Sequence, residues 1–225
     1  LILNGADPNT PHPMTSDTAL HMACKDGNSD AVIRLLELNA NPLLLNAQGL
    51  TPIDCAIQTI TPGTNASIML LQCAKQISYG SEAWATKTLH RVIETSIYVM
   101  SQDNQCLWVD LLCSFGANPR ELTHDGKTVL HLACCVGNYH LLERLVNSGV
   151  PANWRDKHGR TALFELVRKI NTTRFISYLM KNGCDPSLPD KSGNTILDLL
   201  NTENADVKLL GTIGRWYCDL ENKYS

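Results

Sequence analysis

The feature that most constrains this chain of 225 residues is a segment that returns at nearly fixed spacing. Ser16-Asp17-Thr18-Ala19-Leu20-His21 aligns with Gly49-Leu50-Thr51-Pro52-Ile53-Asp54, and then with Gly126-Lys127-Thr128-Val129-Leu130-His131. Two more copies follow, Gly159-Arg160-Thr161-Ala162-Leu163-Phe164 and Gly193-Asn194-Thr195-Ile196-Leu197-Asp198. Their starts lie 33, 77, 33 and 34 residues apart. Self-similarity at such a period means that one supersecondary element is stacked several times, because one copy alone cannot bury its apolar face. A second signal closes most copies: Leu3–Asn9, Leu38–Pro42, Phe115–Pro119, Ser148–Asn153 and Asn182–Pro186 each combine Gly or Asn with turn-forming residues.

Each signal has a local physical reading. The Gly two places before the Thr permits a positive φ in a tight turn. The Thr caps a helix through its hydroxyl oxygen. The Gly or Asn near the end suits a left-handed C-cap, and the Asp, Asn and Pro beyond it form a turn. Between the signals lie two short helical patterns. Leu141, Leu142, Leu145 and Val146 show the i, i+3, i+4 spacing of an amphipathic second helix. The element is therefore turn, helix, short loop, helix.

This pattern resembles the ankyrin repeat, whose signature is Thr-Pro-Leu-His-x-Ala on a 33-residue period. Thr18-Ala19-Leu20-His21-Met22-Ala23 and Thr128-Val129-Leu130-His131-Leu132-Ala133 carry the resemblance, and Thr51-Pro52-Ile53-Asp54-Cys55-Ala56 carries it with Asp for His. The resemblance implies an all-α solenoid of helix-turn-helix elements with protruding hairpin turns. We expect one domain over residues 1–225, with a partial repeat at 1–14 and repeats starting near 15, 48, 80, 123, 156 and 190. The 77-residue interval is the departure. Taking one period from it leaves 44 residues, which we assign to a divergent, lengthened repeat with helices near Glu82–Met100 and Asn104–Ser114. The alternative is an insertion without repeat character. The preceding repeat should end in a helix near Ala66–Ile77, separated from its first helix by the breaker run Thr59–Thr64. Asp206–Tyr217 is expected to form a last helix and Glu221–Ser225 a frayed tail. The opening at Leu1, inside an amphipathic pattern, reads as a piece of something longer.

Composition bounds the function. The net charge of −3 argues against direct nucleic-acid binding, which needs a basic surplus. No apolar run reaches the roughly 18 residues of a membrane span. The nine cysteines are odd in number and lack a CxxC, so neither a disulfide framework nor a zinc site is expected, and a cytoplasmic or nuclear setting is favoured. Adjacent Cys134 and Cys135 read as one buried and one less buried helix position. His21 and His131 take the repeat's own His position, where the resemblance implies support of the neighbouring turn. The other histidines have no ligand spacing. No nucleophile elbow, phosphate loop or dinucleotide fingerprint occurs, so no enzymatic activity, metal or cofactor is expected of these residues.

What remains is surface. In a solenoid of this kind the turn tips and first helices line a concave groove. Arg120, Lys127, Arg155, Lys157, His158, Arg160 and Lys191 lie on successive tips, where an acidic protein or extended peptide would be steered to them. Trp154 falls in a turn expected to be exposed beside Arg155, the composition of an interface hot spot. Tyr139 is read in the loop between two helices as a weaker contact. Trp84, Trp108 and Trp216 fall in helical patterns and read as core. Asn9 and Asn153 occupy positions at which some ankyrin proteins are hydroxylated, although turn formation alone explains asparagine there. The expected function is a protein-binding module. The alternatives are a regulatory segment of a larger enzyme, and a methyl-lysine reader built from Trp154, Phe164 and Tyr139.

Overall fold

The same threonine opens most first helices in the computed structural model, which describes residues 6–78, 82–95, 100–167, 169, 172–202, 211 and 213–215. Thr18 and Thr128 begin α1 (Ala19–Lys25) and α7 (Val129–Val136) with reciprocal capping boxes. In each, the Thr hydroxyl accepts the backbone N–H of the His three residues on, and the His Nδ1 accepts the Thr N–H. Thr51 does the same for α3 (Pro52–Ala56), with Asp54 Oδ2 in the place of the imidazole nitrogen at 2.9 Å. Asp198 repeats the arrangement beneath Thr195 at the head of α10 (Ile196–Thr202). Phe164 has no acceptor to return, and the segment Ala162–Glu165 tightens into a 3₁₀ turn.

The chain divides into two compact units, Leu1–Asn118 and Pro119–Ser225. In the N-terminal unit, α1 pairs with α2 (Ser29–Glu37), and α3 is followed by α4 (Asn65–Ile77). First helix packs on first helix (α1 on α3) and second on second (α2 on α4). α5 (Ala83–Glu94) and α6 (Gln102–Ser114) then pack on each other, and α5 also meets α3. The long interval is thus filled by helices of 12 and 13 residues. α5 ends at Glu94, short of the expected Met100, and residues 96–99 lie outside the description. Gln105 of α6 explains how α5 stops. Its side-chain amide donates to the carbonyls of Val92, Ile93 and Thr95 at 2.9, 3.1 and 3.2 Å, so acceptors left over at a helix end are served from the next helix.

In the C-terminal unit, α7 pairs with α8 (Tyr139–Asn147) and with the 3₁₀ turn, and α8 packs on α9 (Thr173–Lys181). Leu141, Leu142 and Leu145 are the buried face of α8, each worth about 2 kcal/mol of burial. The second helices end as the turn chemistry predicts. Asn39 takes φ 63° after α2, where Gly149 and Gly183 take 80° and 86° after α8 and α9. Trp108 is wholly buried, whereas Trp84 is half-buried with its indole N–H on Ser78 Oγ. Trp216, most of the proposed last helix and the tail lie outside the described residues.

Candidate protein-binding surface

Three of the hairpin tips are built by an acidic or amide side chain folding back on its own turn, and the tip at 123–127 by the Thr123 hydroxyl, which accepts from Lys127 N at 3.0 Å. Asp156 Oδ1 accepts the N–H of His158 and Arg160, each at 2.8 Å. Asp190 Oδ1 accepts those of Ser192 and Asn194, and Asn46 Oδ1 those of Gln48 and Leu50. Burial works to raise the Asp190 carboxyl, but these turn N–H groups and Arg160 outweigh it and hold it below the usual range. Successive tips are then tied by the backbone. Ala47 N–H donates to Thr15 O, Lys157 N–H to Gly126 O, and Lys191 N–H to His158 O.

A second row of bonds joins the turns that close the second helices. Asn153 Oδ1 accepts from Asp185 N at 2.7 Å while its Nδ2 donates to Gly183 O at 2.7 Å. Asn9 makes the same bridge to Asn41 N and Asn39 O. These bonds give both asparagines a structural task. In the lengthened region Thr86 stands in, its Oγ1 accepting from Asn118 N at 3.0 Å. His21 and His131 complete the scaffold, with Nε2 donating to Leu50 O at 3.0 Å and Arg160 O at 2.8 Å in the next repeat.

The nine residues singled out from the sequence fall into different environments. Arg155 is tied to Gly159 O and Pro189 O, and Arg120 to Gly149 O, so both guanidinium groups staple neighbouring turns. Arg160 reaches Asp190 at 3.6 Å. Lys127 is half-buried and bonds Glu165 at 2.8 Å. The other Glu165 oxygen accepts from Cys135 Sγ at 2.9 Å. Burial and that acidic neighbour push the Cys135 thiol up, away from the thiolate form. Cys134 beside it is fully buried. Lys157, His158 and Lys191 remain, exposed and with no side-chain partner among the described residues.

Two placements differ from the sequence reading. Trp154 is half-buried rather than exposed, since its turn is drawn in by the Asn153 bridge and by a bond from its own N–H to Pro151 O. Tyr139 is the first residue of α8 and not a loop residue, because Asn138 is the N-cap and accepts from Leu141 N. The Tyr139 ring meets Phe175 and Tyr178 edge-on, at 5.3 and 5.7 Å between centroids. Arg174 lies over its face at 3.7 Å. No ring pairing joins Tyr139, Phe164 and Trp154 among the described residues, so the structure gives no support to the alternative of a methyl-lysine cage. A signal missed in the sequence is charge asymmetry. Residues 1–118 hold five Lys and Arg against ten Asp and Glu, and residues 119–225 hold fourteen against twelve.

Among the described residues no cluster of three or more His, Cys, Asp or Glu could hold a metal ion, and no helix is long and apolar enough to cross a membrane. Family models described as ankyrin repeats match residues 1–56 and 97–190. The E3 ubiquitin-protein ligase KEG of Arabidopsis thaliana is 27% identical over 198 residues, covering 86% of this chain and 12% of that protein. The human neurogenic locus notch homolog protein 1 is 25% identical over 198 residues, 88% of this chain and 6% of that protein. The ADP-ribosylation factor GTPase-activating protein AGD4 of Arabidopsis thaliana is 38% identical over 74 residues, 33% of this chain and 9% of that protein. The chain therefore spans 12% or less of these curated relatives. The crystal structure of the human ASB11 ankyrin repeat domain matches with a TM-score of 0.70 at 19% identity, covering 94% of this chain and 89% of that one; the likeness is one of fold.

Proposed function

Because this chain belongs to the ankyrin-repeat family, whose repeats bind proteins, we propose that its C-terminal unit holds an acidic protein segment across the turn tips carrying Lys157, His158 and Lys191. The observation that supports this most is the contrast among the basic side chains. Arg120, Arg155, Arg160 and Lys127 are spent on the scaffold, whereas these three are fixed at the backbone and free at the head group. The two unpaired lysine ammonium groups steer an acidic partner, and the His158 ring adds a polar contact beside them. Trp154 is the apolar anchor beside them. The eight described cysteines are free, which supports a reducing cytoplasmic or nuclear setting.

The test is a pull-down with this chain and with a Lys157→Glu, Lys191→Glu variant, read by mass spectrometry, with circular dichroism to verify folding. A partner held by the parent, released by salt and absent from the folded variant supports the reading. A partner recovered equally by both sinks it. A second reading, a regulatory segment of a larger enzyme, draws on the small share of a ligase and of a GTPase-activating protein that this chain matches. Activity of a full-length protein that is unchanged on deleting these repeats would exclude it.

A further inference from the structure

Phe164 stands where the preceding repeat has His131. That imidazole accepts the capping N–H of its own helix and donates to the next repeat. A phenyl ring does neither, and a 3₁₀ turn of 4 residues takes the place of the 8-residue α7. Between this turn and α10 lies a cavity of about 300 Å³ lined by Arg160, Phe164, Glu165, Lys169 and Leu199. Phe164 is buried and Leu199 half-buried, so together they give the cavity an apolar wall. The cavity begins where the tip bearing Lys157 and His158 ends, since the bond from Asp156 N–H to Arg160 O closes that tip. The charged lining is of both signs. Glu165 has both oxygens engaged, by Lys127 and by Cys135. Lys169 donates to the carbonyls of Cys134 and Cys135 and keeps one hydrogen to give. The Arg160 side chain is 49% exposed and meets Asp190 through Nε, and its terminal nitrogens make no hydrogen bond among the described residues.

We propose that this cavity seats one large apolar side chain of the acidic segment, whose neighbouring carboxylates meet Arg160 and Lys169 at the rim. The proposal rests on the acidic partner of the C-terminal tips and names its chemistry, an apolar residue set between acidic ones. The lining selects among occupants. A carboxylate inside the cavity would meet Glu165, and an ammonium would meet Arg160 and Lys169. An apolar side chain suffers neither repulsion and covers Phe164 and Leu199, while the charged rim closes around it, as the surround of an interface anchor does. The rim cations continue the basic row of Lys157 and Lys191 inward from the tips, so acidic residues next to the anchor find opposite charge. The volume admits one side chain and excludes a folded element.

The test uses ¹H–¹⁵N spectra of the chain titrated with a synthetic peptide, a phenylalanine between two short runs of glutamate, beside the same peptide with alanine in its place. The expected result is that the phenylalanine peptide binds at least tenfold more tightly, with saturable shifts at Phe164, Lys169 and Leu199 as well as at Lys157 and Lys191. Both peptides should bind less as salt rises. Leu199→Glu puts a carboxylate in the apolar wall at a half-buried position and should abolish the preference for phenylalanine in a chain that still folds. The comparison of the two peptides on the parent chain decides the matter should that variant fail to fold. Equal affinities with shifts confined to the tips, or a preference for phenylalanine undiminished in folded Leu199→Glu, would overturn the cavity and leave the acidic partner standing. Binding of neither peptide would overturn both.

Discussion

Removing the side-chain amide of Gln105 should loosen the N-terminal unit at the end of α5. Its two hydrogens serve three carbonyls within 3.2 Å, and the residue is 1% exposed. In Gln105→Leu, a shape close to the original, about two of those carbonyls lose their donor. A buried polar group left without a partner costs about 1–3 kcal/mol. The added apolar surface returns about 1–2 kcal/mol, so the net loss is about 2 kcal/mol. Gln105→Glu should cost more, since a carboxylate would face three carbonyl oxygens and have to stay protonated or leave. The assay is urea unfolding followed by circular dichroism, with amide hydrogen exchange resolving α5. Repeat proteins lose stability locally, so exchange at the last turn of α5 should accelerate before the rest. A midpoint of Gln105→Leu matching the parent, with exchange in α5 unchanged, would refute the reasoning.

Stability should also depend on mild acid through His131. Burial lowers its pKa below the ordinary 6.5, outweighing the Arg160 carbonyl, which favours the charged ring. The unfolded chain then binds the proton more readily, so stability is full above about 6.5 and declines as pH falls below it. Urea midpoints from pH 5 to 8 should show this slope, and His131→Asn should flatten it. Asn153→Ala removes both bonds of its bridge and should lower stability by about 1–2 kcal/mol in the same assay. Lys157→Glu with Lys191→Glu should leave the stability within about 0.5 kcal/mol of the parent, whereas Arg155→Ala should lower it measurably, because the Arg155 side chain ties its turn to the next.

The repeat was legible because its signals are local. Thr, His and Gly each act within four residues, so spacing alone revealed the capped first helices and the left-handed ends of the second. The helix expected near Ala66–Ile77 runs from Asn65 to Ile77 for the same reason, with Thr64 as its cap. Tyr139 was misplaced through neglect of Asn138, whose capping of Leu141 was readable in the sequence. The sorting of the basic tips was not readable. Arg155 and Lys157 are two residues apart with similar neighbours, and only the approach of Pro189 O, 34 residues on, makes one a staple and leaves the other free. The substitution of Asp54 for His was visible, but its ion pair with Arg91, 37 residues on in α5, was not.

The asparagine bridges carry a mechanical consequence. Asn9 to Asn41, Thr86 to Asn118 and Asn153 to Asp185 each span 32 residues. Every such rung closes a loop of one length, including the one within the lengthened region. A pull along the chain would load these rungs in series. Each rupture would release the same slack, about 11 nm at roughly 3.5 Å per residue, and an optical trap would record evenly spaced steps.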